Sequence, residues 1–195
     1  MKPVLVEIHC PSCSWHTHIP CETLVIEELE PRYKQQILED EMFHYICPCC
    51  KARIQYLLTF TYMSKKGNYL LILKPDTSSF DIHIPFKDVY TYKRFVHTVE
   101  QLKEKIRIFD DGLHDYAIEL LKYQIKEKRK IEHIVYYDRD KTTHTLWFQV
   151  IHEDISSLMG VEEAYYVSCE KQIPALKDDF LTIDLSLILS KMHSD

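Results

Sequence analysis

Cys10-Pro11-Ser12-Cys13 and Cys47-Pro48-Cys49-Cys50 are two copies of one pattern, Cys-Pro-x-Cys, with 33 residues between them. Two residues between thiols let a single tight turn carry both sulfurs to about 2.3 Å from a tetrahedral zinc while the turn's own amides point toward them. Two such turns close a four-thiolate shell. Proline at the first turn position fixes φ and removes a donor the turn does not need. Cys10, Cys13, Cys47 and Cys50 are therefore expected to hold one Zn2+ in a closed shell, with no position left for water or substrate.

Other donors lie close in sequence. Cys49 adjoins Cys50, while Cys21, His9, His16, His18 and His44 flank the two turns, so any of them could replace one sulfur. Successive strand residues point to opposite faces, which disfavours His9 and Cys49. A thioredoxin-type redox pair has the same spacing but sits singly at a helix start, whereas these copies sit between strand-like segments. Unligated buried cysteine gives no reason for the spacing to recur with its proline. The gap between pairs exceeds the usual 15 to 20 or so residues, yet a strand, a helix and a further strand fit inside it.

The rest of the composition bounds the function. A chain of 195 residues can bury a core without disulfide staples. Seven cysteines, six of them between positions 10 and 50, are an odd count that suits metal binding better than a disulfide framework. The apolar start is broken at Glu7, too early for a signal peptide, and no segment approaches the roughly 20 apolar residues that span a bilayer. The expectation is a cytoplasmic protein with reduced thiols. Glycine occurs only at 67, 112 and 160, which excludes the glycine-rich phosphate loops of Rossmann and Walker type. Net charge is −6, shared by both halves, so a nucleic-acid partner is not expected. Such a partner would need Arg32, Lys34, Lys51 and Arg53 to converge on one face.

The periodicity around the cysteines gives a strand over Val4–His9 and a return strand through Trp15, Thr17 and Ile19. A β-like stretch follows over Glu22–Glu30, then a helix from Arg32 to about Asp40 behind Pro31, and a strand over Phe43–Ile46. Ile54–Met63 and Tyr69–Leu73 read as a hairpin around Lys65-Lys66-Gly67-Asn68. A short strand over Phe80–Ile84, another near Lys93–Thr98 and a helix over Val99–Phe109 complete a first domain, 1–109. In a second domain, 110–195, Asp111 would cap a helix running to about Lys130, with acids at its start and Lys126, Lys128, Arg129 and Lys130 at its dipole-matched end. Strands are expected at Ile131–Tyr137, Thr145–Ile151 and Ala164–Ser168, and a helix at Leu185–Met192. The fold class is α+β, a zinc-ribbon-like N-terminal β domain with a small α+β C-terminal part.

The two Cys-Pro-x-Cys motifs, the hairpin from Tyr56-Leu57-Leu58-Thr59-Phe60-Thr61-Tyr62 through Leu73-Lys74-Pro75, and the stretches Phe109–Asp115 and Ile118–Lys122 together resemble the bacterial CpXC protein family, over about two thirds of the chain. The resemblance implies a zinc-binding domain and no defined activity. One departure stands out: ribbons of this type often place glycine after the second cysteine of each pair, and here Ser14 and Lys51 stand there. A left-handed backbone at a non-glycine residue costs about 1–2 kcal/mol.

Two functional readings follow. The first is a non-enzymatic protein-interaction module with a structural zinc site of four cysteines, motivated by 13 Tyr and 8 Phe, several of them in strands such as Tyr56, Phe60, Tyr62 and Tyr69. The plainer reading, which is favoured, is that the same aromatics form cross-strand pairs and core. The alternative is a hydrolase or transferase with an interdomain active site and a remote structural zinc. Specific enzyme motifs fail: His152-Glu153 begins a metalloprotease-like motif, but Ser156 takes the place of the second His.

Overall fold

Residues 3–75, 87–152, 155–176 and 180–192 are described by the structure, a computed structural model. The chain divides into two compact units, Met1–Lys103 and Glu104–Asp195. The fold is α+β.

In the first unit β1 (Val4–His9) and β2 (His16–Cys21) form an antiparallel ribbon, with Ile8 opposite Thr17 and His9 opposite His16. β3 (Leu24–Ile26) and α1 (Arg32–Leu38) follow, and then a second ribbon of β4 (His44–Ile46) and β5 (Arg53–Gln55). β6 (Phe60–Ser64), β7 (Tyr69–Leu73) and β8 (Tyr92–Val96) join β3 in a mixed sheet of order β3-β6-β7-β8. Every residue of β6 and β7 is buried, as the unbroken apolar run of β7 implies for a strand covered on both faces; β6 buries Thr61 and Ser64 among its apolar residues. Tyr62 and Tyr69 stack with ring centroids 6.0 Å apart, and Phe60 meets Phe43 edge-on at 5.3 Å. Phe60, Tyr62 and Tyr69 are thus core residues, and only the half-buried Tyr56 reaches the surface.

Ile54–Met63 is not one strand. Its first residues pair in the ribbon and its last in the mixed sheet, and an apolar run shared by two sheets carries no periodic mark of the break. The β6–β7 hairpin turns as expected. Asn68 takes φ 58°, and a Cβ on Gly67 would lie 2.3 Å from the Tyr69 ring. The strand expected at Phe80–Ile84 lies outside the described residues.

α2 (Val99–Asp110) contains the boundary between the units. The second unit holds α3 (Asp115–Arg129), an antiparallel sheet of β9 (His133–Asp140), β10 (Thr145–His152) and β11 (Ile155–Glu162) in the order β11-β10-β9, α4 (Glu163–Glu170) and α5 (Leu185–Met192). α3 packs against α4, α5 and β9. Two expectations are corrected here. Asp111 does not cap α3: Gly112, at φ 71°, closes α2, His114 Nδ1 accepts from the Tyr116 amide at 3.1 Å, and Asp111 Oδ2 instead accepts from the Tyr136 hydroxyl at 2.7 Å. Ala164–Ser168 is helical despite its β-forming composition, because within α4 Tyr166 and Cys169 turn inward and the Tyr166 hydroxyl accepts from the His114 amide at 3.0 Å. The strand is the preceding segment, β11, whose mostly exposed residues give it no alternation to read.

Candidate metal centre

Each cysteine pair sits in the loop of a ribbon. The Cys10 amide donates to Trp15 O and the Cys47 amide to Ala52 O, both at 2.9 Å, so the two loops are closed in the same way. Within them the Trp15 amide points at the Cys13 sulfur, the Ala52 amide at Cys50, and the Cys49 and Cys50 amides at Cys47. These are the inward-pointing amides that a thiolate turn requires.

The four sulfurs come together. Cys10 Sγ lies 3.4 Å from Cys50 Sγ and Cys13 Sγ 3.7 Å from Cys47 Sγ, and all four are within 4.8 Å of one another. A zinc at about 2.3 Å from each of four tetrahedral sulfurs sets them about 3.8 Å apart, so the donor set fits the ion in number, type and spacing. Cys10 and Cys47 are buried, Cys13 is half-buried and Cys50 exposed. Trp15 and Tyr45, stacked at 5.7 Å, pack against Cys10, Cys47 and Ile54 and also against the ribbon cluster of Ile8, Ile19 and Cys21.

Burial opposes ionisation of Cys47, but the Cys50 and Cys49 amides and the neighbouring thiols outweigh it and hold its thiol down at about 7. At Cys13 the Trp15 amide favours the thiolate; burial and the other three thiols outweigh that and push it up to about 12. Sulfurs so close cannot all carry charge without a cation among them. A divalent ion would supply it, and its binding at neutral pH would release protons.

Among the described residues this quartet is the one group of His, Cys, Asp and Glu whose ligand atoms converge. Of the other donors near the turns, Cys49 is exposed, and Cys21 is buried with Ile8 and Ile19, its sulfur 3.8 Å from Ile19 O. His44 Nδ1 lies 2.7 Å from Asp40 O, while His9 and His16 stack on each other on the exposed ribbon face that also carries His18. The basic residues near the centre are engaged locally: Arg32 with Glu30, Lys34 with Glu27, Arg53 with Asp40 O and Lys51 with Pro48 O.

Lys51 adopts φ 63°, the left-handed backbone glycine favours, whereas Ser14 does not. Lys51→Gly is therefore expected to stabilise the protein by about 1 kcal/mol, read from the denaturation midpoint, and Ser14→Gly to give no gain.

A second cluster, in the other unit, carries no sequence motif. Lys105 Nζ lies 3.2 Å from Asp115 Oδ2, 3.4 Å from Glu119 Oε1 and 3.0 Å from Ile183 O. Lys122 Nζ lies 2.8 and 3.0 Å from the Glu104 oxygens and 3.1 Å from Glu119 Oε1, and Glu104 Oε1 also accepts from the Tyr136 amide at 2.6 Å. Burial disfavours the charged Lys122, yet Glu104 and Glu119 more than restore it. Each ammonium has as many acceptors as protons, so the network is a packing element. Its trace in the sequence is the i, i+4, i+7 spacing of Asp115, Glu119 and Lys122 on one side of α3.

Paired knuckles that gather four thiols define a ribbon protein with a cysteine-built candidate metal centre. The profile of the CpXC protein family matches residues 8–122, more than half of the chain and all four cysteines, and the chain belongs to that family. Comparisons with curated proteins and with solved structures found no match to it.

Proposed function

We propose that the protein is a zinc-stabilised, non-enzymatic interaction module in which Cys10, Cys13, Cys47 and Cys50 bind one Zn2+ as a structural ion. The convergence of four thiols on two similarly closed turns carries the reading. Four thiolates fill a tetrahedral shell, so the ion polarises no substrate and activates no water. Its work is to hold two short ribbons together, and it requires a compartment that keeps thiols reduced. The activity then belongs to the surface, where Leu5, Leu29, Ile46 and Leu57 expose apolar side chains suited to a protein partner. Crosslinking in cells, with protein purified in parallel for metal analysis, tests both parts. One zinc per chain and a partner captured by the wild type but lost by Cys13→Ser/Cys50→Ser are expected. Zinc-free wild-type protein, or equal capture by both forms, would overturn the reading.

A further inference from the structure

Glu7, His9, His16 and His18 share the outer face of the β1–β2 ribbon. The register sets Glu7 opposite His18 and His9 opposite His16, while Ile8 and Ile19 turn to the buried side. Because the Cys10 amide bonds to Trp15 O, the next pair along the ladder, His9 and His16, falls at a non-hydrogen-bonded position, and Glu7 and His18 at the following one. Such pairs hold their side chains closest, with Cα atoms about 4.5 Å apart. The His9 and His16 rings lie 5.5 Å apart between centroids, at 19°, and His9 Nε2 is 3.4 Å from Glu7 Oε1. His16 Nδ1 faces Ser14 O at 3.5 Å, which leaves its Nε2 directed elsewhere. None of these four side chains takes part in the cysteine centre.

Three imidazoles and a carboxylate share neighbouring rungs of one face, with their donor atoms not converged in the side-chain conformations present. His16 and His18, two apart on one strand, project from the same face, and His9 and Glu7 add a nitrogen and an oxygen from the neighbouring strand. We infer that this face is a second metal site, independent of the cysteines, for a divalent transition ion of the nickel, copper or zinc class, which imidazole donors suit. Closing the set requires the stacked His9 and His16 rings to turn. The His9 and Glu7 side chains are 70% and 48% exposed, so their torsions can reset and turn the donor atoms inward without disturbing the buried face.

The test uses untagged, zinc-loaded full-length protein under reducing conditions, titrated with Ni2+ in a calorimeter, with zinc content measured before and after. One further equivalent of Ni2+ is expected to bind with zinc retained. His9→Ala/His16→Ala/His18→Ala is expected to weaken that binding by about ten-fold or more, with unchanged circular dichroism, while His44→Ala binds as the wild type does. The single variant His16→Ala, on an exposed position, gives the same reading should the triple variant fold poorly. Absence of nickel binding, binding undiminished by the histidine variants, or nickel uptake matched by zinc release would each overturn the site. Zinc content reports on the cysteine centre separately: nickel bound by protein that holds no zinc, and weakened by the histidine variants, would support the histidine site and count against the other.

Discussion

Removing the metal with a chelator at neutral pH, under reducing conditions, is expected to abolish slow amide exchange in β1, β2, β4 and β5 while the amides of β6, β7, β9 and β10 stay protected. The ribbons have little else to hold them. β4 and β5 are three residues each, and among the described residues the clusters beside the centre bury three side chains each, Ile8, Ile19 and Cys21 in one case and Cys10, Cys47 and Ile54 in the other, with Trp15 and Tyr45 partly buried against both. A two-stranded ribbon is marginal alone. A structural zinc contributes an apparent 10–16 kcal/mol or so in small peptides, comparable with the whole stability of an ordinary domain at about 5–15 kcal/mol. The mixed sheet rests instead on β6 and β7, buried at every residue. Hydrogen exchange followed by mass spectrometry on zinc-loaded and chelated protein reads the difference, and ribbons that keep full protection without metal would show that zinc does not hold them.

Lys105→Met is expected to destabilise the protein by about 3–5 kcal/mol, read from urea unfolding. The side chains of Lys105 and Asp115 are 3% and 0% exposed, and removing the ammonium leaves a carboxylate buried with its cation gone. Adding Asp115→Asn in the same chain should recover much of the loss, since replacing both members of a buried pair is far milder than orphaning one. By contrast Arg32→Ala should change stability by less than about 0.5 kcal/mol, because its pair with Glu30 is open to solvent. A small effect of Lys105→Met, or no recovery in the double variant, would show that the network does not act as a unit.

The residues of the centre are legible because their signal is local: a doubled Cys-Pro-x-Cys with alternating apolar residues on either side gives two knuckles without reference to the rest of the chain. Lys51 is marked by position, and the structure keeps the left-handed backbone there but not at Ser14. What the sequence hides depends on pairing across distance. Nothing in Ile54–Met63 says that one apolar run serves two sheets. β11 is an edge strand without an inner face to alternate against, and α4 turns helical although Ala164–Ser168 favours extended backbone. Asp111 looks like a cap by type, yet Gly112 ends α2 just after it and its carboxylate is taken by Tyr136. The buried ions of Glu104, Lys105 and Lys122 are ordinary helix charges until α2 and α3 are placed side by side.

Replacing the metal with Co2+ tests the cysteine centre most directly, because the visible spectrum reports geometry and donor type together. One Co2+ per chain with intense tetrahedral ligand-field bands and thiolate charge-transfer absorption, both abolished by Cys13→Ser/Cys50→Ser, is the expected result. Weak octahedral bands, or a spectrum untouched by those substitutions, would contradict a closed shell of four sulfurs.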